Sequence, residues 1–249
     1  MTLALMAAIS PAAGGEWTLD GEPGRSSHAG VEQLVAGFSC GRVSARVHLA
    51  RFSEREHDIR VYDDAAGRFR GLPQVAREQG WIAGVNGGFF HPDNTPLGLV
   101  VMEGEKRHDQ QRARLLSGIL AANESRIHLL RPAEFALGER TRSALQAGPY
   151  LVDGGRAPAG LDADKRARRT IVATDGAGGW ALGSLSALSL AEAGGLLASE
   201  AFAELLDVER ALNLDGGSSS AYYYRDGDGG ERVIHSLSRL RNYLGVVRR

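Results

Sequence analysis

With 249 residues, 43% of them apolar and 24% charged, the chain has the composition of an ordinary globular protein and the length for one large domain or two small ones. A formal net charge of -1 provides no long-range field to gather nucleic acid or an acidic membrane surface, so neither is expected as a partner. The single cysteine, Cys40, excludes an internal disulfide framework and a cysteine zinc site, and it reads as a small buried apolar residue.

Residues 1–14 carry a short apolar run, Leu3 to Ile9, followed by small residues up to Gly14. This is the h-region and cleavage region of a secretory signal lacking its positive n-region; a frayed N-terminal helix or strand is the other reading. A signal implies a periplasmic or secreted protein and leaves residues 15–249 as one domain. No other segment approaches the ~20 apolar residues of a membrane span.

Val43, Ala45, Val47 and Leu49 alternate with Arg42, Ser44, Arg46 and His48, which predicts a strand with one wet face. Ile59 and Val61 continue the pattern, and Asp63 to Gly67 reads as a turn. Leu72 to Glu78 predicts one short helix with Pro73 in its first turn, closed by Gly80. Trp81–Val85, Leu97–Met102, Leu115–Ala121 and Ile127–Leu130 are short extended segments bounded by Gly, Pro or charge. Gly148 to Asp153 is a strand entering a tight turn, and Thr170–Thr174 with Trp180–Leu185 predicts a hairpin around Asp175 to Gly179. Ser189 and Glu192 form a capping box; the helix it starts is expected to break at Gly194-Gly195 and resume over Ser199–Leu206. Ala211–Leu214, Ala221–Tyr224, Val233–Leu237 and Tyr243–Val247 complete the strands. Many short strands with few helices and no regular β-α-β alternation predict an α+β fold: one domain, a mixed and largely antiparallel sheet, and a few helices packed on it.

Two loops stand out. Asn213-Leu214-Asp215-Gly216-Gly217-Ser218-Ser219-Ser220 places paired glycines and three serines after a strand, which suits close backbone approach to a ligand and an anion-binding nest. Asp215, at the strand end, would be held rigidly toward the same site. A plain Asp-Gly turn needs neither the Asn nor the second Gly and serines. Asn86-Gly87-Gly88-Phe89-Phe90-His91 again ends a strand with Asn and two glycines. One of Phe89 and Phe90 suits the core and the other a sugar ring; His91 reads as a loop residue before a catalyst. The basic run Lys165 to Arg169 is either a solvated loop or an anion site.

These stretches resemble the phosphodiester glycosidase family. The resemblance adds Pro96-Leu97-Gly98-Leu99-Val100 with Gly104 following, Gly148-Pro149-Tyr150-Leu151-Val152, the Arg169-Thr170 pair opening a strand, and Asn242-Tyr243-Leu244-Gly245-Val246 near the end. The blocks stand in family order over roughly residues 40–248, and the chain looks bacterial in kind, similar to members associated with exopolysaccharide. Ser218 departs from a third glycine common in the family.

The resemblance implies a hydrolase that cleaves the glycosidic bond of a sugar-1-phosphodiester and releases the sugar from a phosphorylated partner. A phosphate leaving group is already acidic and needs charge and N–H donors more than a proton. Arg168 and Arg169 can supply a guanidinium fork. Asp215, repelled by phosphate, should face the sugar as base, nucleophile or hydroxyl ligand. Asp215 and Arg169 are thus the expected catalytic residues. Asn86, Gly87, Gly88, Phe89, Phe90, His91, Gly148, Arg168, Thr170, Asn213, Gly216, Gly217, Ser218 and Ser219 are the expected binding residues. Asp153, Asp175 and Glu103 are candidates for a second carboxylate. The residues call for no cofactor and show no metal-ligand cluster, with a divalent metal left open. A non-catalytic module binding phosphorylated or anionic envelope glycans is the alternative, and a metal-dependent phosphoesterase the third reading, disfavoured by scattered histidines.

Overall fold

The computed structural model describes residues 16–68 and 71–249, so the signal-like residues 1–14 lie outside it. Every strand pairing in it is antiparallel, and the strands form three sheets. The eight-stranded sheet runs Thr18–Leu19, Val31–Cys40, Val43–Ser53, Gly179–Leu188, Ala167–Thr174, Arg210–Asn213, Tyr150–Asp153, with Gly24–His28 also paired to Val31–Cys40. One five-stranded sheet runs Glu231–Ile234, Tyr222–Arg225, Ala83–Asn86, Asn242–Arg248, His57–Asp63. The other runs Ile127–Leu130, Gly118–Ala122, Ser143–Ala147, Val100–Met102, Glu105–His108.

The inner faces of all three sheets meet in one apolar core. Ala50, Val172, Leu182 and Leu212 come from the first sheet, Val61, Val85 and Leu244 from the second, and Val100, Leu120 and Leu145 from the third. Strand alternation puts the neighbouring residues on the outer faces, where short helices cover two of the sheets. Val47, Leu49, Ile171 and Ala173 meet the helices Leu190–Leu197 and Glu200–Ala203; there Phe202 packs on Phe38 with ring centroids 5.7 Å apart. The helix Leu72–Glu78 lays Leu72, Val75 and Ala76 against Trp81, Tyr223 and Tyr243 on the outer face of the second sheet. Phe202→Ala would cost on the order of 3–5 kcal/mol as a large void in a fully buried layer.

The α+β expectation is overturned. Strands make up 45% and helices 9%, and the fold is mainly β, built of curled antiparallel sheets rather than one mixed sheet carrying helices. Strand left out of the expectation includes Val31–Cys40, where the apolar run Leu34-Val35-Ala36 blurs the period-2 signal, and Ser143–Ala147, which is buried at every position. The late helical region is short: eight residues and then four. Ser189 does form the capping box with Glu192, but the helix runs through Gly194-Gly195 without a break. A Cβ on Gly194 would sit 2.8 Å from the Leu151 carbonyl, so this glycine serves close packing on the Tyr150–Asp153 strand.

Candidate active site

Four strand ends converge at one end of the first two sheets. Ala83–Asn86 and Arg210–Asn213 finish there; Ala167–Thr174 and Asn242–Arg248 begin there. Asn86 is the junction. Its side chain is buried and makes three bonds across the chain: Nδ2 donates to the Asp215 carbonyl at 2.7 Å, and Oδ1 accepts from Thr170 Oγ1 at 2.8 Å and from the Ala221 N–H at 2.9 Å. The Asp215 N–H donates to the Gly87 carbonyl at 3.0 Å. The two Asn-Gly loops therefore touch, and the Asp215 peptide is clamped on both sides by Asn86 and Gly87.

Asn242 completes the clamp. Its carbonyl accepts from the Gly87 N–H at 2.8 Å and its Oδ1 from the Gly88 N–H at 2.7 Å. A Cβ on Gly87 would lie 2.1 Å from Asn242 Oδ1, so close approach explains this glycine; neither Gly87 nor Gly88 has a positive φ. Gly217 is the reverse case, with φ +64 opening the one-turn helix Gly217–Ser219. Ser218 keeps ordinary backbone angles, so its side chain replaces a family glycine without strain. Its carbonyl accepts from the N–H of Leu237 at 2.7 Å and of Ser238 at 3.2 Å. Ser219 Oγ lies 3.1 Å from Ser238 Oγ. Asn213 Nδ2 donates to the Gly148 carbonyl at 3.1 Å, bringing the Gly148 block to the same place.

Asp215 is half-buried, and its Oδ1 accepts from the Gly216 N–H at 2.9 Å. Burial pushes its carboxyl above the ordinary aspartate range, against the opposing pull of Ser219 and the Gly216 N–H. Arg168 crosses the loop, donating from Nε to the Gly217 carbonyl at 3.1 Å and from Nη1 to the His235 carbonyl at 3.2 Å. Its Nη2 is buried without a partner, as are Asn213 Oδ1, Ser220 Oγ and Asn242 Nδ2. Four unsatisfied polar atoms on the converging loops mark a place built to meet something besides protein.

Arg169, expected to hold phosphate, points elsewhere. Thr170 faces Asn86, so its neighbour in the strand faces the outer side. There Arg169 is buried, donating from Nε to the Leu188 carbonyl at 2.8 Å and from Nη2 to the Lys165 carbonyl at 2.7 Å. Burial lowers its pKa, with Asp162 and Glu192 opposing. Phe89 packs against the central core, Phe90 is half-exposed beside Pro96, and His91 is exposed on the turn that returns to Thr95. The three candidates for a second carboxylate lie away from these loops. Asp153 pairs with Arg131 and Arg210 at the opposite end of its strand. Asp175 accepts from the N–H groups of Ala177 and Gly179 in its own turn, and Glu103 sits in a turn with φ +52. Asn242, Ser220 and the buried Gln146, which ties Leu99 to Gln111, are structural parts of the site region with no role evident from the sequence. The Asn-x-Leu-Gly-Val block was the one signal pointing to Asn242.

Among the described residues no group of three or more His, Cys, Asp or Glu side chains is placed to hold a metal ion, and no helix is long and apolar enough to cross a membrane. A cleft of about 890 Å³ lined by Arg60, Trp81 and Arg142 includes none of the loop residues.

No curated protein matches the chain in sequence. Solved structures share its fold. A Synechocystis protein superposes with a TM-score of 0.66 at 17% identity, covering 88% of this chain, which in turn spans 62% of that protein's length. The zebrafish N-acetylglucosamine-1-phosphodiester alpha-N-acetylglucosaminidase catalytic domain, auto-inhibited by its pro-peptide, superposes with a TM-score of 0.62 at 15% identity, covering 98% of this chain and 86% of that one. A Burkholderia pseudomallei K96243 protein gives 0.53 at 14% identity, with 82% and 74% covered. The phosphodiester glycosidase family model matches residues 79–247, a stretch holding both Asn-Gly loops, Arg168 and Asn242, and the chain belongs to that family.

Proposed function

We propose that this protein hydrolyses the glycosidic bond of a sugar-1-phosphodiester, with Asp215 on the sugar side and Arg168 on the phosphate side. The observation that carries the reading is the clamp on Asp215. Its peptide is fixed by Asn86 and Gly87 while its carboxylate stays half-buried next to the loop that Arg168 crosses. A carboxyl whose pKa is raised by burial is a stronger base or nucleophile once ionised. It can activate water for attack at the anomeric carbon, or attack there itself. The departing phosphodiester oxygen needs no proton, and the unpartnered Arg168 Nη2 offers an N–H and a positive charge where that oxygen becomes negative. Arg169, committed to two carbonyls, supports the strand rather than the substrate.

The test is release of free sugar and phosphomonoester from a panel of sugar-1-phosphodiesters, by wild type and by Asp215→Asn, with and without chelator. Turnover by wild type, cut by two or more orders of magnitude in a folded Asp215→Asn, supports the reading. Saturable binding without release would instead assign a glycan-binding module.

A further inference from the structure

One segment touches both Asn-Gly loops and Arg168. It joins the strands Glu231–Ile234 and Asn242–Arg248. Along it the His235 carbonyl accepts from Arg168, the Leu237 and Ser238 N–H groups donate to the Ser218 carbonyl, and Asn242 holds Gly87 and Gly88. Arg241, next to Asn242, reaches further. Its guanidinium grips the Asp63 carboxylate side-on, Nε to Oδ1 at 2.6 Å and Nη2 to Oδ2 at 2.8 Å. The remaining branch, Nη1, donates to the Asn94 carbonyl at 2.9 Å. The Arg241 carbonyl accepts from the Asp64 N–H at 2.8 Å. The Asp63 side chain is 1% exposed and that of Arg241 11%, so the fork is fixed at the end of the His57–Asp63 strand and its free branch is aimed at another loop.

That loop is the excursion from Phe89 to Leu97. The Leu97 N–H donates to the Phe89 carbonyl at 2.8 Å, Phe90 bridges Pro96, and the His91 N–H donates to the Thr95 carbonyl at 2.8 Å. The chain therefore runs out and back as a hairpin with residues 91–95 at its tip. Asn94 stands there at φ +69, a left-handed conformation that asparagine takes more readily than most residues and that persists where its surroundings fix it. Arg241 holds the peptide that follows. Asn94 Oδ1 is buried without a partner, an acceptor open to a hydroxyl group. Phe89 packs on the core, so Phe90 takes the other side of the chain, where it is half-exposed. The three residues of chain from Gly87 to Phe90 span at most about 11 Å, and the Gly87 carbonyl holds the Asp215 N–H.

We infer that Arg241 is a positioning residue, which presets the 89–97 loop as a wall beside Asp215 for the sugar ring to lie against. Adjacent residues divide the work: Asn242 fixes the base of the loop at Gly87 and Gly88, and Arg241 fixes its tip at Asn94. A loop already in its binding conformation loses no freedom when ligand arrives, so releasing it weakens binding of substrate and transition state alike. The inference rests on the reading of Asp215 above, which puts the sugar on this side of the site.

Arg241→Lys keeps a charge beside Asp63 but cannot hold both carboxylate oxygens and the Asn94 carbonyl together. Asp63→Asn weakens the ion pair and leaves the free branch of Arg241 on Asn94. The double variant Asp63→Asn/Arg241→Gln leaves no buried charge unpaired and also lacks the Asn94 bond. Each is measured for melting temperature, for hydrogen exchange of the His91 and Asn94 amides, and for kcat and KM on the sugar-1-phosphodiester panel. Arg241→Lys and the double variant should speed that exchange about tenfold or more and raise KM about tenfold, with kcat within about threefold of wild type. Asp63→Asn should melt lower, with exchange and KM within about twofold of wild type. Unchanged exchange or KM in the Arg241 variants, a fall in kcat as large as the rise in KM, or the same KM rise in Asp63→Asn would overturn the inference, the last because lost stability alone would then explain the effect. If wild type turns over no substrate, the catalytic reading falls, and titration with a panel of sugar 1-phosphates decides the role of Arg241. Binding weakened about tenfold by Arg241→Lys and spared by Asp63→Asn sustains it; no binding, or equal binding by all variants, removes it.

Discussion

Replacing Asn86 by Ala tests the clamp most directly, because one side chain makes three long-range bonds. The variant leaves the Ala221 N–H and the Asp215 carbonyl without their partner inside the protein, and frees the Thr170 hydroxyl to turn elsewhere. Three bonds at a net of about 1 kcal/mol each give a loss of roughly 3 kcal/mol; if the N–H and carbonyl stay dry, each adds about 1–2 more, for roughly 7 kcal/mol at most. For a chain of this size, at about 2–4 °C per kcal/mol, a loss of roughly 3–7 kcal/mol lowers the melting temperature by about 6–28 °C. Thr170→Val removes one of the three bonds and should cost about 1 kcal/mol alone, but nothing further on top of Asn86→Ala, since its partner is already gone. The assay is thermal unfolding of the two single variants and the double variant, with turnover measured well below each melting point. An Asn86→Ala protein melting within about 2 °C of wild type, or fully additive losses in the double variant, would refute the network as the element that fixes Asp215.

Arg168→Ala should reduce turnover of a phosphodiester by roughly 10²-fold or more with little change in melting temperature, whereas Arg169→Lys should lower stability and leave kcat and KM near wild type; the opposite pattern would return the phosphate to Arg169. A folded-state pKa raised by burial makes Asp215 a stabilising presence only when protonated: that contribution is complete below the unfolded aspartate pKa of about 3.9 and is lost as pH rises through the folded value. Asp215→Asn removes the ionisation, so its melting temperature should rise relative to wild type as pH goes from about 3 to 8, and a difference that stays flat or shrinks would contradict the burial cost. The acid limb of wild-type turnover should likewise fall at a higher pH than an ordinary carboxylate would give.

Local patterns in the sequence carried much of the chain. Alternation at Val43 to Leu49, the Pro73 start of a helix, the Ser189–Glu192 box and the turn at Asp175 to Gly179 each depend on near neighbours, and each is present in the structure. The ordered Asn, Gly and Asp blocks were enough to name the family, because they mark points where backbones approach closely. Fold class was less legible. Ser143–Ala147 is buried on both faces and Val31–Cys40 carries the apolar run Leu34-Val35-Ala36, so neither alternates cleanly in sequence, and the expected single sheet with helices is three sheets around a shared core.

The site itself depended on pairings that no local window contains. The sequence supplied Asp215 between a strand and two glycines, and a pair of arginines at residues 168 and 169. Strand parity, fixed only when Thr170 meets Asn86, turned Arg169 outward to the Leu188 and Lys165 carbonyls and left Arg168 across the Gly217 loop. Register across three strands set His48 in line with Thr170, although 122 positions separate them in the chain (170 minus 48). Residue type and spacing determine which groups are available and which turns they occupy; the face each side chain takes, and therefore which arginine can reach a phosphate, follows from hydrogen-bonded partners that only the folded sheets bring together.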